Sequence, residues 1–197
     1  MFDFETVIHR GEDSEKWRGA KARGELPLWV ADMDFPCAPA IQEALEKRVK
    51  EQIYGYTTGM DEEYRGIVCD YYRRHFDWTF DPQDIYFTGG VVQAISILCG
   101  LLCAQGEGIV IQTPVYHPFR RQIEANHHRC VVNPLIRHAD GSYTMDLDDL
   151  RKKLSDPSVA GMILCSPHNP VGRVYTKQEL KAIGEICRRR DVFVISD

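Results

Sequence analysis

The sequence predicts an α/β fold with a mostly parallel sheet flanked by helices, and three stretches predict it. Met162 to Cys165 and Val192 to Ile195 are short apolar runs separated by TKQELKAIGEICRRR, a helical pattern, which makes a strand-loop-helix-strand unit. A strand from Ile109 to Ile111 follows a predicted helix, Val91 to Ala104, that is apolar on nearly every face and reads as a buried central element. A strand from Cys130 to Leu135 precedes a helix from Asp146 to Leu154, with Gly141 marking the turn between them. In open α/β sheets, ligands sit outside the carboxyl ends of the strands. The polar residues just past each run are therefore the candidates for function.

Composition narrows the class. At 197 residues and 44% hydrophobic content, the chain can build one large core or one and a half small ones. A formal charge of −5 argues against a nucleic-acid surface. The basic run Arg188 to Arg190 falls at a predicted helix end, where cations complement the dipole. Of seven cysteines, Cys99, Cys103, Cys165 and Cys187 lie inside apolar or helical patterns, as reduced, buried thiols of a cytoplasmic protein would. His127, His128 and His138 lack ligand spacing and read as surface or packing residues, so no metal site is expected. The N-terminus has no apolar secretory segment, and the longest apolar run, Val91 to Ala104, is shorter than the roughly 17 to 25 residues of a membrane span.

The remaining elements follow in order. Met1 to Glu25 reads as an irregular arm, and Pro27 to Asp32 as a short strand before the turn-rich MDFPCAP. Pro39 opens an amphipathic helix with Ile41, Ala44, Leu45 and Val49 on one face. Tyr54 and Tyr56 flank Gly55 in a loop, where an aromatic either recognises a ligand or simply packs. Asp61 caps a helix whose stripe of Tyr64, Ile67, Val68, Tyr71 and Tyr72 is expected in the core. Ile85 to Phe87 reads as a strand, and Thr88-Gly89-Gly90 leads from it into the apolar helix; such a glycine turn either cradles an anion or is a packing turn. Thr176 and Glu179 form a capping box.

Four features gather at the predicted strand ends: the Gly90 turn, the aromatic Tyr116 in TPVYHPF, Asn169 in a loop stiffened by Pro167 and Pro170, and Asp197. A phosphorylated, flat heteroaromatic cofactor would use all four. Pyridoxal phosphate in particular needs a carboxylate that keeps its pyridine nitrogen protonated, because the protonated ring is the electron sink.

SPHNPVGR followed by VFVISD resembles the signature of class I/II aminotransferases, the fold type I pyridoxal-phosphate enzymes, and WVADMDFP, YGYT and TPVYHPF resemble their MalY/PatB-type C–S β-lyase branch. The resemblance implies a domain of that fold. Residues 1–50 would form an arm and a segment of the small domain, and 51–197 the N-terminal part of the large cofactor domain. It implies that Gly90, Val91 and Val92 bind the cofactor phosphate, that Tyr116 stacks on the ring, that Asn169 meets the 3-hydroxyl oxygen and that Asp197 meets the pyridine nitrogen. It also implies a homodimer in which Tyr56 reaches the partner subunit's cofactor, and a substrate edge formed by Asp32, Met33, Asp34 and Phe35. The expected activity is elimination of a thiol from L-cystathionine or a related cysteine S-conjugate, with pyruvate and ammonia; transamination is the near alternative. The lysine that such enzymes bond to the cofactor is expected downstream of Asp197, so the chain is expected to be the N-terminal part of a longer enzyme and inactive by itself. As an isolated chain it would be a binding or regulatory module.

Overall fold

The computed structural model describes residues 3–56 and 61–197. They fall into two compact units, Met1–Thr58 and Gly59–Asp197. The second unit carries a five-stranded sheet of β1 (Gly108–Thr113), β2 (Arg129–Arg137), β3 (Tyr143–Met145), β4 (Val159–Leu164) and β5 (Phe193–Ser196), in the order β3-β2-β1-β4-β5. β1 pairs in parallel with β2 and β4, and β4 with β5. Only β3 is antiparallel, against β2. The mostly parallel α/β fold expected from the sequence is therefore the fold observed.

Alternation within the strands builds two cores. Ile109, Ile111, Ile163, Cys165 and Ile195 face one side, where Ile95 and Cys99 of α4 (Val91–Leu102) and Phe119 and Ile123 of α5 (Pro118–Ala125) cover them. Val110, Met162 and Leu164 face the other side, under Leu150 of α6 (Leu147–Lys153) and Ile183, Ile186 and Cys187 of α7 (Lys177–Arg190). Close packing reaches the backbone at Gly161, where a Cβ would lie 2.4 Å from the Phe193 ring. Asn133 of β2 is fully buried and donates from Nδ2 to the Asp149 carboxylate at 2.8 Å and the Asp146 carbonyl at 3.1 Å, at the start of α6.

The helix ends follow the sequence. Asp61 accepts from the Tyr64 amide at 2.8 Å and starts α3 (Glu62–Phe76), and Asp146 caps α6 through the amides of Asp148 and Asp149. Thr176 and Glu179 make the predicted capping box, with Glu179 N–H donating to Thr176 Oγ1 at 3.3 Å and Thr176 N–H to Glu179 Oε2 at 2.8 Å. Thr176→Ala in the full-length protein should lower stability by about 1 kcal/mol. A urea unfolding midpoint identical to the parent's would show that the box contributes nothing.

Several expectations do not survive. Pro27 to Asp32 and Ile85 to Phe87 form no strand: a strand exists only through a hydrogen-bonded neighbour, and among the described residues neither has one. The α3 stripe is not core; Tyr64, Ile67 and Tyr71 are exposed, and the helix supports a cluster with Phe76, Trp78 and Phe80. Of the apolar α4, only Ile95 and Cys99 are buried, while Val91, Ile97 and Leu101 are exposed, because a single face rests on the sheet. β3 was not anticipated, since three residues are too few to display a period. In the first unit, the arm read as irregular holds one short helix, α1 (Ala20–Arg23), while α2 (Pro39–Lys50) begins at Pro39 as expected, with Ile41, Leu45 and Val49 exposed.

The cysteines behave as their context dictates. All seven are free thiols, and Cys99, Cys103, Cys165 and Cys187 are buried. Burial raises the thiol pKa of Cys99 and of Cys103 to about 11. Among the described residues, no helix is long and apolar enough to cross a membrane.

Candidate functional site

Three consecutive strands of the sheet, β1, β4 and β5, point their carboxyl ends the same way, and each releases a candidate residue there. Tyr116 lies past β1, Asn169 past β4 and Asp197 past β5. The chain passes from β1 to its neighbour β2 on one side, and from β4 to β5 on the other, so β1 and β4 form the point where the direction of winding reverses. A crevice opens at such a point.

Asn169 and Asp197 are brought together around one sulfur. Cys165 Sγ lies 3.5 Å from Asp197 Oδ2 and accepts the Asn169 backbone N–H at 3.5 Å. Backbone bonds continue the β4–β5 pairing beyond the strands: Asp197 N–H to Leu164 O at 2.8 Å and Ser166 N–H to Asp197 O at 2.9 Å. The Asp197 backbone is thus locked while its side chain remains exposed. Burial pushes the Cys165 thiol above its ordinary range, so it stays a neutral neighbour of the carboxylate.

Tyr116 is about one-third exposed, and its ring meets Phe119 edge-on at 5.9 Å and 90°. Phe119 itself is buried in the α5–sheet core, so the aromatic past the carboxyl end of β1 stands on a fixed base. Gly90 is the N-cap of α4, a helix of 12 residues, and no side chain caps it. Thr88 Oγ1 donates to the Gly90 carbonyl at 3.2 Å, and the Gln93 side chain takes the Gly89 amide at 2.9 Å. The amides of Gly90, Val91 and Val92 are left without a side-chain cap at the positive end of the helix dipole, an arrangement that favours an anion.

The other predicted residues belong to the first unit. Asp32 pairs with Arg10 at 2.9 Å, and Asp34 accepts from Lys16 and from Trp17 Nε1, each at 2.7 Å. The Lys16 bond, then the Trp17 bond, holds Asp34 below the usual carboxylate range. Lys16 also donates to the Asp32 carbonyl at 2.7 Å and is buried. Met33 is exposed, and the half-exposed Phe35 ring meets Phe4 edge-on at 5.2 Å. Tyr56 is fully exposed; the neighbouring Thr57, the last residue of YGYT, lies outside the described residues.

Sequence reasoning missed the partners of these residues within each unit. Cys165 looked like strand packing, and only its place immediately before SPHN marked it. Arg10, Lys16 and Trp17 stand in an arm without periodicity, and pairing between an arm and a loop leaves no local pattern. His168 is visible between two prolines, but of its two ring partners only Tyr175 is near in sequence, and Pro114 comes from the distant segment after β1.

Comparison with known proteins places this geometry. The model of the family described as aminotransferase class I and II matches residues 25–197. Cystathionine beta-lyase PatB of Bacillus subtilis is 44% identical over 172 residues, 87% of this chain and 44% of that protein. Protein MalY of Escherichia coli is 34% identical over 202 residues, 100% of this chain and 52% of that protein. Crystalline cystalysin from Treponema denticola, which contains a pyridoxal 5′-phosphate cofactor, superposes with a TM-score of 0.91 at 35% identity, over 100% of this chain and 51% of its own. A PLP-bound C–S lyase from Staphylococcus hominis superposes at 0.89 with 32% identity and the same coverage. The chain spans about half the length of the curated relatives it matches. With the family model covering residues 25–197 and PatB 44% identical over 87% of this chain, the chain belongs to the class I and II aminotransferases.

Proposed function

We propose that the full-length protein is a pyridoxal-phosphate-dependent C–S β-lyase that converts L-cystathionine, or a related cysteine S-conjugate, and water into a thiol, pyruvate and ammonia. The observation that carries this is the meeting of the Asp197 carboxylate and the Asn169 backbone around Cys165, at the carboxyl ends of the same sheet that releases Tyr116 past β1. The donor set fits the cofactor: an uncapped helix N-terminus suits a phosphate, an exposed ring suits stacking, and an exposed carboxylate suits a protonated pyridine nitrogen.

In this reading, the amides of Gly90, Val91 and Val92 bind the phosphate. Tyr116 covers one face of the ring and Asn169 donates to its 3-hydroxyl oxygen. Asp197 keeps the pyridine nitrogen protonated, its carboxylate projecting from a backbone held in the β4–β5 ladder. When bound, pyridoxal phosphate supplies the electron sink that lets a proton leave the α-carbon of an amino acid. Asp32 to Phe35, fixed by Arg10, Lys16 and Trp17, border the substrate. Residues 1–50 serve as arm and small-domain segment and 51–197 as the first part of the large domain, in a cytoplasmic homodimer where Tyr56 reaches the partner subunit's phosphate. The named relatives favour the lyase over transamination, because PatB is called a cystathionine beta-lyase and the Staphylococcus structure a C–S lyase.

Mixing the full-length protein with pyridoxal phosphate and L-cystathionine should release pyruvate, followed by coupling to lactate dehydrogenase. Amino transfer to an added 2-oxo acid without pyruvate release would replace the lyase by the aminotransferase. Neither product would leave a regulatory role.

A further inference from the structure

His168 is buried, yet the site described above gives it no task. A buried imidazole is costly unless its nitrogens are partnered, and both are. Nε2 lies 2.9 Å from the Pro114 carbonyl oxygen, and Nδ1 lies 3.3 Å from the Tyr175 hydroxyl. A carbonyl can only accept, so Nε2 carries the hydrogen; in the neutral ring Nδ1 then accepts from Tyr175. The Tyr175 ring stands edge-on to the imidazole at 83°. Burial raises the phenol to about 12, so it remains an O–H donor.

The location of these bonds gives them meaning. The β1–β4 pairing runs to Val110↔Met162, whereas β1 continues beside β2 to Thr113↔Pro134 and β4 beside β5 to Leu164↔Ser196. β1 and β4 therefore part toward their carboxyl ends, at the reversal of winding, where the backbone ladder no longer fixes one strand against the other. The His168 ring reaches across from the turn after β4 to the segment after β1. Its own turn is closed by His168 N–H to Arg173 O at 2.7 Å and Gly172 N–H to His168 O at 2.8 Å. Pro114 lies two residues before Tyr116, and Asn169 is the next residue after His168.

We propose that His168 is a positioning residue: its ring ties the Pro114 segment to the turn that carries Asn169 and so sets the spacing between the Tyr116 ring and the Asn169 amide. This rests on the reading of those two groups as partners of one cofactor ring. The sheet core does not depend on the bridge, because both strands keep their outer neighbours.

The test uses the full-length protein in its apo form, with three measurements: the dissociation constant for added pyridoxal phosphate, the unfolding midpoint, and the 15N shifts of the histidine rings. His168→Phe keeps a ring of similar size without nitrogens and should weaken cofactor binding about tenfold, with a midpoint close to the parent's. His168→Gln, which offers an amide N–H near the Nε2 position, should recover most of that loss. Tyr175→Phe, which leaves the Pro114 bond in place, should weaken binding by about threefold or less; it also serves if His168→Phe does not fold. The parent should show one buried histidine protonated at Nε2. Equal affinity in His168→Phe and the parent, failure of His168→Gln to rescue, or a ring protonated at Nδ1 alone would overturn the role. A parent that binds no pyridoxal phosphate would instead overturn the cofactor reading itself, and the role with it.

Discussion

Asp197→Ala in the full-length protein is expected to reduce turnover of L-cystathionine by on the order of 100-fold or more, and to weaken pyridoxal-phosphate binding, without loss of fold. The expectation rests on a division of labour within one residue. The Asp197 N–H and C=O hold the β5 end to Leu164 and Ser166, and alanine keeps both bonds. The carboxylate, exposed and 3.5 Å from Cys165, takes no part in those bonds and is left for the proposed contact with the cofactor. A fixed charge facing a site where charge develops is typically worth on the order of 100- to 1000-fold in rate. Circular dichroism and the unfolding midpoint should match the parent. Unchanged turnover would sink the role given to Asp197, and a collapsed midpoint would show that the carboxylate holds the fold.

Phe119→Ala should be the most damaging change to stability, costing about 3–5 kcal/mol. Phe119 is among the largest fully buried side chains, and it packs with Ile123, Ile109 and Ile111 between α5 and the sheet. The substitution opens a cavity in that core, which the rigid strands around it cannot close. The same ring is the edge-on neighbour of Tyr116, so the loss should spread to cofactor affinity, whereas Phe119→Leu should keep more of both. Urea unfolding of the full-length protein measures the first effect and cofactor titration the second. A loss below about 1 kcal/mol would mean that the core repacks around the gap.

The sequence was most informative where neighbouring residues decide local geometry. Asn169 between prolines, Asp197 at the end of VFVISD, Thr176 with Glu179, and Asp61 before its helix were all visible, because caps and strand ends are written in neighbouring residues. Burial was less legible. The stripe of α3 and the faces of α4 have the right period, but a period says that a face can be covered, not which element covers it. Tyr64, Ile67, Ile97 and Leu101 are exposed for that reason. The same limit hid β3, whose assignment depends on β2, and the ring contacts of His168, whose partner Pro114 is far away in the sequence.

The buried Asn133 has a consequence for how the chain selects its strand alignment. It stands opposite Gln112 in the β1–β2 pairing, and its amide bonds to the start of α6. Sliding β2 by one position would turn Asn133 toward the Ile109–Phe119 side, stranding an amide among hydrocarbon and breaking both bonds, while apolar neighbours alone would tolerate the slip. One polar residue thus discriminates against the misaligned sheet.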